Sequence, residues 1–583
     1  MMTGRSGAEV NLVLNGFPLR VPAGTTILEA ARRIHVTLPR LCSLPGRAHH
    51  GSCRVCVVEV KGRHELLPAC ETVVTEGMVI ETNSPVVRRT RRMLVELLLA
   101  SHPEDCNTCD RNRLCELRRL AHETGIRTRY FERSPKEGFY PDTSHPSIVR
   151  DPNKCLLCGR CVHICREVQT VEAIGFMGRG GQTQVASPFA GGLGASPCVG
   201  CGQCVLACPV GALHEQHDLD AIWDVLADPA KTVIAQVAPA TRVSLGEEFD
   251  HPPGTALTGQ IVAALRRLGF RYVFDTSFAA DLVAVEEGHE LVDRLQGGGP
   301  LPLISSCSPS LVKFIEHFYP AQLPHLSVCK SPQQAFGALA KTWFAQRRGL
   351  DPHRIVVISV MPCTAKKYEA ARPEMKRNGV PDVDFVLTNR ELARLIREAG
   401  IDFAALPEEP FDSPMGSASG PGTLFGTSGG MTEATLETVR ALLGGPPPGP
   451  EEYTPLRGLS EVKRAAFRLG DRLLPVAVAS GLSNARTLLE SIRAGNPEGL
   501  AFIELMGCPG GCVGGGGQSH EASFEVRSMR SSALHREHRG RPIRRPADNP
   551  ALQALYEEFL GKPGGLKSRD ILYTRYFPRS KYW

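Results

Sequence analysis

Twenty cysteines fall in tight groups along this 583-residue chain, with Cys-x-x-Cys pairs at 53/56, 106/109, 155/158, 158/161, 198/201 and 201/204. Thiolates at that spacing converge on one soft metal centre. Disulfides are the poorer explanation. A chain this long needs no cross-links to hold a core, and its N-terminus, MMTGRSGAEV, has no apolar signal core. Iron–sulfur or zinc chemistry is therefore expected.

The groups differ in what they suit. Cys42, Cys53, Cys56 and Cys70 combine a ten-residue gap, a close pair and a distant fourth thiol. On a strand-rich domain that set suits a 2Fe–2S cluster, with a structural zinc site as the alternative. HPEDCNTCDRNRLC supplies His102, Cys106, Cys109 and Cys115. The histidine sits four residues before three cysteines that otherwise lack a fourth ligand. A neutral imidazole there completes a 4Fe–4S site with one negative charge fewer, and zinc is the competitor. CLLCGRCVHIC and CVGCGQCVLACP follow the bacterial ferredoxin rule, in which the last cysteine of each run serves the other cluster. One 4Fe–4S cluster then takes Cys155, Cys158, Cys161 and Cys208. The other takes Cys198, Cys201, Cys204 and Cys165. Pro209 fits that pattern, and Arg166 replaces the matching proline of the first run.

Elements must position these ligands. EVNLVLNGFPLRVP at 9–22 reads as a β-hairpin turning at Asn15-Gly16, and Thr25 or Thr26 caps a helix through Ile27–Ile34. VVRRTRRMLVELLLA at 86–100 reads as an amphipathic helix leading to His102. Beyond residue 230, Val/Ile-rich strands (TVIAQVAP, RYVFDTS, LPLISS, RIVVISVMP) alternate with helical stretches, the pattern of α/β lobes. Gly/Pro-rich loops are expected at 405–430 and 445–450, and a solvated basic loop with seven arginines at 527–545. The expected architecture is multidomain α/β. It comprises a plant-type, β-grasp ferredoxin-like 2Fe–2S domain (1–84), a histidine/cysteine-ligated 4Fe–4S domain (85–144), a two-cluster ferredoxin domain (145–220) and a two-lobed catalytic domain (230–583).

The succession of four centres resembles two families, the iron–sulfur subunit of respiratory complex I and the FeFe hydrogenases. The later cysteines separate them. Residues 361–369 match the hydrogenase motif Met-Pro-Cys-x-x-Lys-x-x-Glu, and 504–517 match Glu-x-Met-x-Cys-x-x-Gly-Cys-x-x-Gly-Gly-Gly. SRDILYTRYFPRS is similar to the family's closing segment, so the resemblance covers nearly the whole chain. It implies reversible reduction of protons to H2 at an H-cluster, a 4Fe–4S cubane joined to a di-iron centre bearing CO, cyanide and a dithiolate. By resemblance Cys363, Cys508 and Cys512 hold the cubane, with Cys512 the bridge. Lys366 donates to a cyanide, and Pro239, Ser331, Gln333, Met361 and Met506 line the pocket.

The first signature departs from the family's Thr-Ser-Cys-Cys-Pro-x-Trp. Aligned through Pro309, Cys307 falls on the proton-relay position and Ser308 on the cubane ligand. A hydroxyl is harder and more basic than a thiol. Three arrangements answer this: a Ser308 alkoxide, a local shift that brings in Cys307, or a three-cysteine cubane. Glu287, Glu290 and Arg294 share one helix face at i, i+3 and i+7, which alone reads as a solvated charged stripe. The resemblance implies instead a proton path Arg294, Glu290, Ser327, Glu287, Cys307. Cys329 reads as a buried structural thiol.

The composition, 42% hydrophobic and 22% charged, is that of soluble globular protein. A net +6 from 67 basic and 61 acidic residues singles out no nucleic acid, and no nucleic-acid partner is expected. No apolar run approaches a membrane span, so a cytoplasmic protein is expected. The cofactors expected are one 2Fe–2S cluster, three 4Fe–4S clusters and the H-cluster. Electrons come from ferredoxin or from NAD(P)H-oxidising flavoprotein and 2Fe–2S partner subunits. The alternatives are a low-turnover H2 or redox sensor, suggested by Ser308, and a complex I-like electron-transfer or iron–sulfur assembly protein.

Overall fold

Asn15 and Gly16 both adopt positive φ (51° and 82°), the turn that matches the twist of a two-residue hairpin, and so join strands Glu9–Leu14 and Phe17–Pro22. The computed structural model describes residues 8–44, 51–128, 130–134, 138–445, 452–469 and 472–580. The hairpin heads a five-stranded sheet. Glu9–Leu14 pairs in parallel with Met78–Glu81, which continues to Val57–Val60 and Leu67–Pro68. A helix over Ile27–Arg33, closed by a Thr26/Glu29 capping box, buries Ile27, Leu28 and Ala31 against Leu14, Val58 and Ile80. It ends one residue earlier than its sequence pattern suggests, because Ile34 serves as the C-cap.

The next helix, Pro85–Ala100, starts at a Ser84 cap and is pinned to the first domain by Arg91, whose guanidinium donates to Val57 O at 2.8 Å. Two short helices, Arg160–His163 and Gln203–Ala207, then each follow a left-handed glycine, Gly159 or Gly202. They pack beside a three-stranded sheet of Leu213–Glu215, Ile148–Arg150 and Asp142–His145.

The remainder holds two four-stranded sheets. One is all parallel, ordered Tyr272–Asp275, Thr232–Val237, Ile355–Val360, Phe385–Leu387. The other runs Leu303–Ile304, Phe502–Met506, Arg472–Ser480, Val462–Leu469, with only the last pair antiparallel. Strands buried on both faces read as unbroken apolar runs, which is why TVIAQV and IVVISV were visible in the sequence. The parallel strands end at Val237, Ile304, Val360 and Met506, and the segments after them carry the signature residues. Open α/β sheets bind ligands at that end.

Two expectations are corrected. The basic stretch at 527–545 is mostly helix: Phe524–Gly540 is capped by Ser523, and its Arg530 is fully buried, donating to Glu247 Oε1 at 2.7 Å and Val513 O at 2.8 Å. Ion pairing to distant carboxylates, invisible in a local reading, stabilises charge there. The glycine-rich 405–430 stretch also contains a short helix, Gly420–Thr423, capped by Ser419.

The C-terminal segment is held by buried glutamates. Glu316 accepts from Arg372 Nη2 (2.7 Å), Arg579 Nε (2.7 Å) and the Phe577 N–H (3.3 Å). Removing this carboxylate strands a buried guanidinium, at a cost of about 3–5 kcal/mol. Glu316→Ala is therefore expected to expose residues 572–580 to limited proteolysis under conditions where the unaltered chain resists, and unchanged cleavage would contradict the anchoring.

Candidate active site and its cluster-binding cavities

Two cavities in the ferredoxin-like region sort the cysteines. One is lined by Cys155, Cys158, Cys161 and Cys208. The other is lined by Cys165, Cys198, Cys201 and Cys204. Each cavity thus takes three thiols from one run and the last thiol of the other. Burial raises the pKa values of Cys161, Cys198, Cys204 and Cys208, and those of Cys158, Cys165 and Cys201 to about 12. Buried neutral thiols crowded this closely gain from a cationic metal core that converts them to thiolates.

In the N-terminal domain Cys42 is in hydrogen-bonding contact with Cys53 and Cys70, and Cys56 with Cys70, so the four thiols form one group. Further on, Cys109 packs on Gly211, where an added Cβ would lie 2.4 Å from its Sγ, and Cys115 is among its charged neighbours. Cys106 is exposed, and His102 follows the Ser101 cap of the helix Pro85–Ala100.

The largest conjunction of signature residues lies at the strand ends of the two four-stranded sheets. A cavity there is lined by Cys307, Ser308, Cys363, Cys508 and Cys512, and by Pro239, Gln333, Met361, Lys366 and Met506. Ser331 does not line it but accepts from Lys366 Nζ at 2.8 Å. Lys366 also donates to Glu369 Oε2 (2.9 Å) and to the Cys307 carbonyl (3.2 Å), and Gln333 Nε2 reaches Glu369 Oε2 at 3.1 Å. Glu369 therefore holds the ammonium at the cavity wall. Ser308 Oγ accepts from the Gly507 N–H at 3.2 Å and lies 3.4 Å from Ser310 Oγ. Burial, and then the charges of Glu504 and Glu287, push the Cys307 thiol well above its usual range, against the opposing pull of Lys366.

A bulky iron–sulfur cofactor fits this wall. At Gly507, Gly511 and Gly515 an added Cβ would meet Ser310 Oγ at 2.0 Å, Ser428 N at 2.9 Å and Pro362 O at 2.0 Å, so only glycine lets the backbone close around the thiols. Four thiols, Cys307, Cys363, Cys508 and Cys512, and the Ser308 hydroxyl line the same space.

This cavity lies beside the second ferredoxin one, and Cys201 falls within the electrostatic reach of Cys363 and Cys508. Thr364 Oγ1 donates to Gly200 O at 2.7 Å, and Gln203 Nε2 to Gly514 O at 2.8 Å. A Cβ on Gly516 would sit 2.2 Å from the Cys201 carbonyl oxygen. Sequence reasoning missed Thr364, Gln203 and Gln169, which reaches Gly507 O at 3.0 Å. Their partners lie 164 to 338 residues away, and no local pattern signals that.

On the far side, Glu287 is fully buried and neither oxygen has a hydrogen-bond partner among the described residues. Burial, and then the charge of Glu290, push its carboxyl well above the usual carboxylate range. Ser327 Oγ donates to Glu290 Oε2 at 2.8 Å, and Arg294 Nη2 to Glu290 Oε1 at 2.6 Å. The stripe is thus interior, not solvated. Cys329 is buried, and its carbonyl accepts from Ser306 Oγ at 2.9 Å.

Residues 231–516 match the family described as iron only hydrogenase large subunit, C-terminal domain, and 524–579 match iron hydrogenase small subunit. Toward the N-terminus, 7–85 match a 2Fe-2S iron-sulfur cluster binding domain, and 91–129 the NADH-ubiquinone oxidoreductase-G iron-sulfur binding region. Residues 145–214 match the ferredoxin-like domain of NADH-quinone oxidoreductase subunit 3. The chain belongs to the iron-only (FeFe) hydrogenases, enzymes of proton and H2 chemistry, and its N-terminal iron–sulfur domains relay electrons. It is 46% identical to the NADP-reducing hydrogenase subunit HndD of Solidesulfovibrio fructosivorans, covering 98% of this chain and 99% of that one. Iron hydrogenase 1 of Clostridium pasteurianum is 37% identical over 97% and 99%. A solved [FeFe]-hydrogenase HydA1 of Chlamydomonas reinhardtii superposes with a TM-score of 0.55 at 36% identity, covering 62% of this chain and 98% of that one. Among the described residues no helix is long and apolar enough to cross a membrane.

The shared cavities generate a test. Cys208→Ser is expected to alter the same EPR signal as Cys158→Ser, and Cys165→Ser the signal altered by Cys201→Ser. Pairing by sequence run instead would contradict the crossed arrangement.

Proposed function

We propose that electrons travel from a 2Fe–2S cluster on Cys42, Cys53, Cys56 and Cys70, past a 4Fe–4S cluster on His102, Cys106, Cys109 and Cys115, through the two crossed ferredoxin clusters, to a cubane on Cys363, Cys508 and Cys512. The observation that carries this reading is the packing of the Cys201 loop on the segments that bear Cys363 and Cys508, where Thr364 Oγ1 donates to Gly200 O at 2.7 Å and Gln203 Nε2 to Gly514 O at 2.8 Å. Electron tunnelling falls steeply with distance, so loops packed this closely serve transfer. The proposed modules run 1–84, 85–144, 145–220 and 230–583.

When bound, the di-iron part of the H-cluster supplies the metal at which protons and electrons combine. The chain's own groups do the rest. Glu369 and Ser331 fix the Lys366 ammonium so that it can meet a cyanide with a charge-assisted hydrogen bond. Arg294 anchors Glu290, Ser327 links it toward the buried Glu287, and Glu287 returns a proton to Cys307 after that thiol has given up its own into the cavity. We assign Cys307 to this relay because its neighbours are Glu287, Lys366 and Cys512. Ser308 takes the fourth cubane corner, supported by its place in the cavity lining beside Cys508 and by its backbone donor at Gly507.

The likeness to an NADP-reducing hydrogenase subunit along the full chain favours NAD(P)H-oxidising flavoprotein and 2Fe–2S partner subunits over ferredoxin alone as donors. A reducing cytoplasm suits a chain with twenty free cysteines. Ser308 also favours one second reading, a low-turnover H2 sensor.

Two variants test these roles. Glu287→Gln keeps the shape but cannot release and regain a proton, so H2 production is expected to fall at least 100-fold with iron content unchanged. Retained activity would remove Glu287 from the path. Ser308→Cys replaces a hard donor by a soft one and is expected to raise the reduction potential of the cubane, read by EPR-monitored titration of protein loaded with clusters but not with the di-iron part. An unchanged potential would show that Ser308 is not a ligand. High H2 turnover in the unaltered chain would dismiss the sensor reading.

A further inference from the structure

Asp110, His214 and His217 come together at the meeting point of three modules, their ligand atoms all within 4.8 Å of one another. Asp110 follows the Cys109 loop, the two histidines end the ferredoxin-like region, and the catalytic domain contributes Glu391 behind them. The imidazoles stack at 5.4 Å with 14° between their planes. His214 Nδ1 lies 2.9 Å from Glu215 O and 3.4 Å from Asp110 Oδ2, and His217 Nε2 lies 3.1 Å from Asp110 Oδ1.

The orientation of His217 is the informative feature. Its Nδ1 is 3.2 Å from the Glu391 carboxylate, which Lys367 Nζ in turn holds at 2.9 Å. Its Nε2 is buried, lies 3.1 Å from Asp110 Oδ1 and borders an open cavity, so a bound cation takes the place of the ring proton shared with Asp110. A carboxylate that fixes one ring nitrogen of a histidine so that the other presents its lone pair is the arrangement found behind metal-ligating imidazoles. Two imidazole nitrogens and one carboxylate select a borderline cation over calcium or magnesium. Arg394 contacts Asp110 Oδ1 at 3.2 Å, but it has a second carboxylate, Glu398, at 2.8 Å, to which it can withdraw.

We propose that Asp110, His214 and His217 bind one Zn²⁺, with a water in the fourth position, and that the ion staples the Cys109 loop to the ferredoxin-like and catalytic domains. Tetrahedral ligands around zinc stand roughly 3.3 Å apart, so closure from the observed spacing needs only a small movement. The ion would fix how the electron-entry segment sits on the rest of the chain.

The test uses the full, iron-loaded chain and reads metal, not activity. Zinc affinity is measured anaerobically against a competing chelator, with iron counted in the same samples, and amide exchange is followed over residues 105–115. One zinc per chain is expected. Affinity should fall tenfold or more in His217→Ala and His214→Gln at unchanged iron content, and exchange over 105–115 should speed up when zinc is stripped. A chain that binds no zinc in excess metal, leaving a protonated His217 bridging Asp110 and Glu391, would overturn the proposal. Zinc binding that both variants retain would do so as well.

Discussion

The close approach of backbone at Gly516 to the Cys201 carbonyl sets the rest of the arrangement. A side chain at either Gly516 or Gly202 would meet its neighbour at under 2.5 Å, so the ferredoxin-like region and the catalytic lobe can only meet as glycine surfaces. The consequence is electrical as well as steric. Thiols of two separate cavities become neighbours, and Thr364, Gln169 and Gln203 tie the contact with hydrogen bonds that satisfy buried carbonyls.

The catalytic cavity divides the labour of its two walls. Cys508 lies within the electrostatic reach of Cys201 of the ferredoxin-like region, and Cys307 within that of the buried Glu504 and Glu287. Glu287 and Glu290 lie one turn apart on a helix whose interior position pushes the Glu287 carboxyl well above the usual carboxylate range, whereas the guanidinium of Arg294 and the hydroxyl of Ser327 both donate to Glu290. Two carboxyls in different surroundings can hold different protonation states, which a proton path requires. The neighbouring Glu286 has another task. It accepts from Tyr556, Tyr573 and the Gly564 N–H, and so docks the C-terminal segment on the same helix.

How much of this was legible follows the range of each interaction. Ligand spacing is local, so the crossed sets in the two ferredoxin cavities could be written down from CLLCGRCVHIC and CVGCGQCVLACP. The hairpin at Asn15-Gly16 and the doubly buried strands announce themselves through turn chemistry and apolar runs. The helix Phe524–Gly540 did not, because its arginines are neutralised by residues such as Glu247, 283 positions away. The Glu287 stripe misled for the same reason: a helix buried on every side carries no amphipathic signal, and charge on it looks like solvent exposure.

Ser308 shows where pattern stops and geometry takes over. The motif leaves three arrangements open, and they differ by which side chain turns toward the cysteine-lined wall. Ser308 precedes the helix Pro309–Phe318 and its Oγ accepts from the Gly507 N–H, one residue before Cys508. Pro309, whose ring favours the first helical position, holds that register. Cys307 lines the same cavity and is acted on by the charges of Glu504, Glu287 and Lys366. The proposed serine corner would leave the relay thiol free, so that the substitution would change the electronic character of the cubane without costing the proton path its last member.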